Sequence, residues 1–459
     1  MVKDHTFRKE TDSMGEVEIP LEALYGPQTQ RALNNFTIPS PPLPWAFIAA
    51  ILEIKGAAAV ANRRLGLLSA EQASAIEAAV TTLLAQQARQ HFPLTVYQTG
   101  SATSTNMNVN EVIVGLARQS GLTLAANDHV NLGQSSNDVI PSAIHLAACQ
   151  VVAKQLLPVL TTLAATIRDF ANRHRQVIKT ARTHLMDALP IHLQAEMEAW
   201  AAQLDEAVER LQDCLPRLSR LPLGGTAVGS GVNCHPDFAA QAIARLSEKT
   251  GITFTSAPSL YKNISSLDSV VELSGHLRAG AVALNKIAED LRWMNSGPLT
   301  GLAEIRLPAL QPGSSIMPAK VNPVICEAVR MACAQIIGND ATLTLAGLGG
   351  NFQLNTMLPL AAVRILESVE LLAASAQTLG ENAIKGMVVN EEVFRQGLAH
   401  NPILVTALNP RIGYLRAAEI AKKAQAEGRT ILEVAGELTD IEPGELQRLL
   451  DPARLADGG

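Results

Sequence analysis

Aromatic side chains are scarce in this 459-residue chain: Phe, Tyr and Trp make up 3% of it, although 47% of its residues are hydrophobic. A core built with so few rings relies on Ala and Leu packed at close range, which favours helix on helix over sheet. Cysteine is equally thin. The five present (Cys149, Cys214, Cys234, Cys326 and Cys333) are an odd number without a Cys-x-x-Cys pair, so neither a disulfide framework nor a metal cluster is indicated. Cys326 and Cys333 share a helix face and are expected to be buried as small apolar groups. No run of Lys and Arg is long enough to track a phosphate backbone, and the net charge is −6, so nucleic acid is not an expected partner. The segment Met1 to Glu10 is mixed in charge, and no later stretch offers a charge-free run of about twenty apolar residues. A soluble cytoplasmic protein without a membrane span is expected.

What the chain has in quantity is helical periodicity. Apolar residues recur at helical spacing from Pro141 to Arg175, with Pro158 expected to bend the helix. Ile191 to Leu218, Leu267 to Met294, Pro323 to about Leu345, and roughly Leu358 to Ile384 follow the same pattern. Five such helices imply an elongated central bundle. Before residue 135 the patterns are shorter and broken by Pro39, Pro41, Pro42 and Pro44. After about residue 390 they restart as short helices at Ala417 to Ala426, Thr430 to Leu438 and Pro443 to Leu450. The expected organisation is three domains: 1–134, 135–391 and 392–459. In Leu267 to Leu291 apolar positions surround much of the circumference, which calls for neighbours from other copies of the chain.

The segment Gly313-Ser-Ser-Ile-Met-Pro-Ala-Lys-Val-Asn-Pro323 concentrates chemistry in a loop. Flanking glycine and prolines let it close over an anion, with Ser314 as a base if deprotonated and Lys320 as a fixed positive charge. Asn322 and Pro323 fit the N-cap and first residue of a helix. Gln134-Ser-Ser-Asn-Asp138 precedes a long helical pattern, where side chains cap and anions bind. Taken singly, each segment also fits an ordinary turn or cap. Gly224-Gly-Thr-Ala-Val-Gly229 lacks the Lys-Ser/Thr ending and preceding strand of a phosphate loop, and reads as a tight turn instead.

Together these segments resemble the fumarase/aspartase superfamily. The loop 313–323 is similar to its signature. Asp12 to Gly15 and Tyr25 to Arg31 look like the amino-terminal arm of its class II fumarases. Gln98 to Thr103, Asn106 to Asn108, Gln134 to Asp138, Arg182 to His184, Gly224 to Gly229 and Leu404 to Asn409 follow in the family's order. The resemblance implies a mainly α, three-domain fold with a central bundle of five long helices. It further implies a homotetramer whose active sites are each built from three subunits. It implies that Ser314 takes a proton from the carbon next to a carboxylate, and that His184 partnered by Glu327 handles water. Ser101, Thr103, Ser135, Ser136, Asn137, Thr183, Lys320 and Asn322 would hold the substrate. No metal or other cofactor is implied. The overall negative charge is unfavourable for a dicarboxylate, so attraction would come from local charges and helix amino termini.

Three departures stand out. Leu132 and Met186 replace a lysine and a glutamine of the family pattern. In the candidate second dicarboxylate site, a His-Pro-Asn-Asp turn has become Ala125-Ala126-Asn127-Asp128, so only Asn127 and Asp128 remain. Hydration of fumarate to L-malate is the expected activity. An ammonia-lyase acting on L-aspartate would share the Ser314 loop and the Ser135 cluster. A catalytically silent scaffold, as among lens crystallins, is the third reading, and joint retention of Ser314, Lys320, His184 and Glu327 argues against it.

Overall fold

Helices dominate the computed structural model, which describes residues 7–119 and 121–458. A hairpin of β1 (Phe7–Asp12) and β2 (Gly15–Pro20) leads into α1 (Pro27–Asn35), α2 (Trp45–Arg64), α3 (Ala70–Gln86) and α4 (Thr103–Gln119). Next come α5 (Ser136–Val151) and α6 (Leu157–Arg173), joined by a π-helical turn at Val152–Leu156. A second hairpin, β3 (Ile178–Thr183) and β4 (Met186–His192), feeds α7 (Leu193–Leu218). There follow α8 (Phe238–Thr250), α9 (Leu260–Ser265), α10 (Asp268–Met294), α11 (Val324–Gly347) and α12 (Leu358–Leu379). Short helices beginning with α13 (Glu391–Ala399) complete the chain.

The five apolar stretches of the sequence are thus α5 with α6, α7, α10, α11 and α12. Where Pro158 was expected to bend its helix, a π turn lies just ahead of it. Proline has no N–H to give, and its ring crowds the carbonyl four residues earlier, so a widened turn relieves the conflict. The two hairpins were not anticipated, since helical periodicity says nothing about short paired strands.

Contacts divide the chain into two units: Met1–Pro158, Ala207–Ala281 and Ala334–Ala373 form one, and Val159–Glu206, Val282–Cys333 and Ala374–Gly459 the other. In the first, Arg217 pairs with Glu272 of α10, and Asp340 of α11 accepts from Ser274 and Arg278 of α10, each at 2.6 Å. Asn339 of α11 donates to Glu367 and Ser368 of α12. In the second, Arg168 of α6 bridges Glu198 and Asp205 of α7, and Trp200 donates to Asp290 of α10. A small separate core there gathers Leu404, Leu408, Ile420, Ile431, Val434 and Leu446 from the last helices.

Among the described residues, two helices are by length and composition apolar enough to cross a bilayer, Trp45–Arg64 and Ser136–Arg173, where none was expected. Most of each apolar window is buried inside the fold, at 72% and 61%, which is how core helices of a large bundle pass that test. Cys149, Cys214, Cys326 and Cys333 are buried, and burial pushes the Cys326 and Cys333 thiols up to about 12 and 11.

Candidate active site

The first unit contributes the amino ends of two helices. α4 begins at Thr103, whose hydroxyl lies 2.8 Å from that of Ser101, and Ala102 between them takes a left-handed φ of 54°. The loop is clasped from behind, with the Leu358 N–H donating to the Gly100 carbonyl at 3.0 Å. One turn into α4, the Asn106 carboxamide donates to Ser136 Oγ at 3.2 Å, and Ser136 is the first residue of α5. The two amino termini are therefore neighbours, and helix dipoles at such ends favour an anion.

α5 starts with a complete capping box. Ser135 Oγ accepts from the Asn137 N–H at 3.2 Å, and Asp138 accepts from the Ser135 N–H at 2.9 Å. The other oxygen of Asp138 accepts from the N–H groups of Gly224 and Thr226, both at 2.9 Å, and Asn137 donates to the Ala227 carbonyl. The glycine-rich segment is thus a cradle for a buried carboxylate of its own chain. Burial pushes Asp138 up to about 6 against these donors, and pulls the buried Lys55 of α2 down to about 7 against the attraction of Asp138. Neither Lys55 nor the bonds of Asp138 to Gly224 and Thr226 were foreseen from the sequence.

The second unit carries Thr183, His184, Ser314, Lys320, Asn322 and Glu327. Thr183 and His184 sit at the tip of the β3–β4 hairpin, where Thr183 pairs with Met186 across a two-residue turn. His184 and Leu185 both have positive φ, 57° and 60°, as a type I′ hairpin turn requires. A left-handed conformation costs a non-glycine residue roughly 1–2 kcal/mol, strain that clusters at functional sites. The hairpin is anchored lower down. Arg182 donates to Glu304 at 2.6 Å, buried Lys179 lies between Glu196 at 2.7 Å and Glu304 at 3.3 Å, and Asn401 donates to the Ala188 carbonyl at 2.8 Å.

In the loop before α11, Ser314 Oγ accepts from the N–H groups of Ile316 at 3.2 Å and Met317 at 3.0 Å. Lys320 is exposed. Asn322 does not cap through its side chain as expected. Its carboxamide donates to the Gly313 carbonyl at 2.6 Å and closes the base of the loop, while the first-turn bond of α11 runs from the Glu327 N–H to the Pro323 carbonyl. Glu327 is exposed on that first turn. Among the described residues, neither His184 nor Glu327 hydrogen-bonds another side chain.

The departures have definite places. Met186 is exposed beside the hairpin turn, and the Leu132 carbonyl accepts from Asn62. Ala126–Val130 forms one π-helical turn bearing Asn127 and Asp128, both exposed. Asn127 lines a crevice with Arg8, Glu10, Tyr25, Gln28 and Arg118. In the arm facing it, Arg31 grips Asp12 through two bonds and also reaches the Gly15 carbonyl. Buried Glu111 accepts from the N–H groups of Gly26, Gln28 and Thr29.

This arrangement has close relatives. The family described as Lyase matches residues 15–338, and that described as Fumarase C C-terminus matches residues 404–457. The fumarate hydratase class II of Xylella fastidiosa is 52% identical over 100% of this chain and 97% of its own. A second, from Pseudomonas aeruginosa, is 51% identical over 98% and 99%. The chain belongs to the class II fumarase family. Among solved structures, the class II fumarase of Schistosoma mansoni superposes with a TM-score of 0.95 at 35% identity, covering 98% of this chain and 99% of that one. A fumarate lyase:delta crystallin from Brucella melitensis gives 0.93 at 42% identity, covering 98% and 100%. The mainly α fold is therefore that of class II fumarases, which are lyases.

Proposed function

We propose that the chain catalyses the reversible anti addition of water to fumarate, giving L-malate. The observation that carries the mechanism is the pair of amide N–H groups 3.0 and 3.2 Å from Ser314 Oγ. A serine hydroxyl is far too weak a base at neutral pH, and donors aimed at its oxygen favour the ionised form. In the dehydrating direction, Ser314 takes the C3 proton and the electron pair moves onto the adjoining carboxylate. Lys320, Asn322 and the amino end of α5 stabilise that added charge. His184, partnered by Glu327, then gives the proton with which the C2 hydroxyl leaves as water. Ser101, Thr103, Ser135, Ser136, Asn137 and Thr183 hold the substrate. Asn127 and Asp128 form a second dicarboxylate site of reduced polarity.

The active unit is a homotetramer with each site assembled from three subunits. Exposed Val282, Met331, Ile337 and Leu345 on α10 and α11 support burial against other copies. The segments 1–134, 135–391 and 392–459 act as its three domains. The enzyme is cytoplasmic, works without a metal and serves the fumarate–malate step of the tricarboxylic acid cycle.

Absorbance of fumarate at about 240 nm tests the reading, with L-malate and then L-aspartate as substrate. Growth with malate alone, unaffected by chelators, is the expected result. Growth with aspartate would make the chain an ammonia-lyase, and growth with neither a silent scaffold.

A further inference from the structure

Lys55 is the least expected charge in the fold. It lies in the middle of α2 among Ile51, Leu52, Ile54, Ala58 and Ala59, and none of its surface reaches solvent. A buried amine is retained only where its donors are used. Here Nζ donates to Asn131 Oδ1 at 2.8 Å and Gln134 Oε1 at 3.0 Å.

Those two acceptors govern the approach to α5. Asn131 Oδ1 also accepts from Asn106 at 3.1 Å and Asn110 at 3.2 Å, so three donors from α2 and α4 converge on one oxygen. The Asn131 amide donates to the Gln134 carbonyl, and the Gln134 amide returns to the carbonyls of Val130 and Leu132. The turn 130–134 is thereby closed on itself and fastened to α2 through Lys55. Its next residues are Ser135 and Ser136, and the same Asn106 that shares Asn131 Oδ1 reaches Ser136 Oγ.

We propose that Lys55 is a positioning residue for substrate binding. Acting through Asn131 and Gln134, it fixes Asn106, Ser136 and the amino end of α5 in the spacing that receives a substrate carboxylate. This rests on the reading of Ser135 to Asn137 as a carboxylate site. The arrangement does not depend on the charge of the amine, because even a neutral amine has two N–H groups, one for each acceptor. Lys55 touches no reacting atom, so its loss bears on binding before chemistry.

The test is a KM and kcat comparison of the full-length wild type with Lys55→Met, which keeps length and removes every donor, using L-malate and fumarate. Gln134→Leu is the second variant; it leaves Lys55 in place and removes one of its acceptors together with the amide bonded to the Val130 and Leu132 carbonyls. Succinate supplies a binding readout free of turnover, and circular dichroism establishes that each protein is folded. The expected result is a KM for both substrates and a Kd for succinate raised about ten-fold in Lys55→Met, with kcat changed less than about three-fold. Gln134→Leu should shift the same quantities in the same sense by a smaller factor, and it alone decides the matter if Lys55→Met does not fold. Folded variants that lose thermal stability but keep wild-type KM and succinate affinity would overturn the inference. A wild type inactive on both substrates would instead refute the proposed function.

Discussion

Gly313 lies against the Lys320 backbone so closely that a Cβ on it would stand 2.1 Å from the Lys320 carbonyl oxygen. The Asn322 N would be only 2.8 Å from the same atom. The two ends of the Ser314 loop are pinched together at this point, with the Asn322 carboxamide bonded across it. A loop pinched at its base presents its interior amides to Ser314 as a set. Gly313→Ala must force the strands of the loop apart, since backbone on both sides cannot yield as a flexible side chain would. The expected outcome is a kcat lowered by about a hundred-fold, the scale of a misplacement near 1 Å, with thermal stability little changed. Steady-state kinetics and a melting curve on the same preparation check it.

The hairpin that presents His184 has no such pinch and depends on buried charge instead. Glu304→Gln keeps the shape of the side chain and removes the charge that Arg182 and Lys179 share. Taking one partner from a buried ionic group leaves the other uncompensated, so unfolding by urea should show a loss of about 3 kcal/mol. Turnover should fall with it, because Thr183 and His184 lose their anchor. Unchanged stability would mean that Glu196 alone suffices for Lys179.

Stability should also depend on pH through His145, which is buried in α5 and donates through Nδ1 to the Arg220 carbonyl at 3.0 Å. Burial pulls its imidazole from 6.5 down to about 4. Between those values the unfolded chain holds the proton and the folded chain does not, so acidification weakens the fold, by roughly 3 kcal/mol over that window. Asp138 acts in the opposite sense, since its raised pKa makes the folded chain bind a proton first as pH falls below about 6. The contribution of Asp138 is common to wild type and His145→Gln, so their difference isolates the histidine. Urea unfolding at pH 7 and pH 4.5 should show a smaller acid loss in the variant.

The long helices were legible because burial on one face imposes a period of 3.6 on the sequence, and α7, α10 and α11 repeat it for six turns or more. The His184 hairpin was not, because its turn lacks the Asn-Gly or Asp-Gly that usually announces positive φ and uses His184 and Leu185 instead. Lys55 was legible in principle. Ile51, Lys55, Ala58 and Asn62 follow one another at helical spacing, so a lysine on the buried stripe of α2 was visible as an anomaly.

The Ser314 loop could be singled out by composition, yet the bonds of Ile316 and Met317 to Ser314 depend on backbone angles that composition does not express. Asp138 was placed correctly in a capping cluster. Its second set of bonds, to Gly224 and Thr226, joins segments 86 and 88 residues away and has no local signature.

In the proposed mechanism Ser314 Oγ, ionised under two amide donors, removes the C3 proton of L-malate. The most direct measurement is the turnover of Ser314→Ala, followed by fumarate absorbance at about 240 nm, beside its affinity for succinate. Loss of the base should lower kcat by roughly 10²- to 10⁴-fold while succinate binds within about three-fold of wild type. Near-normal kcat in that variant would exclude Ser314 as the base.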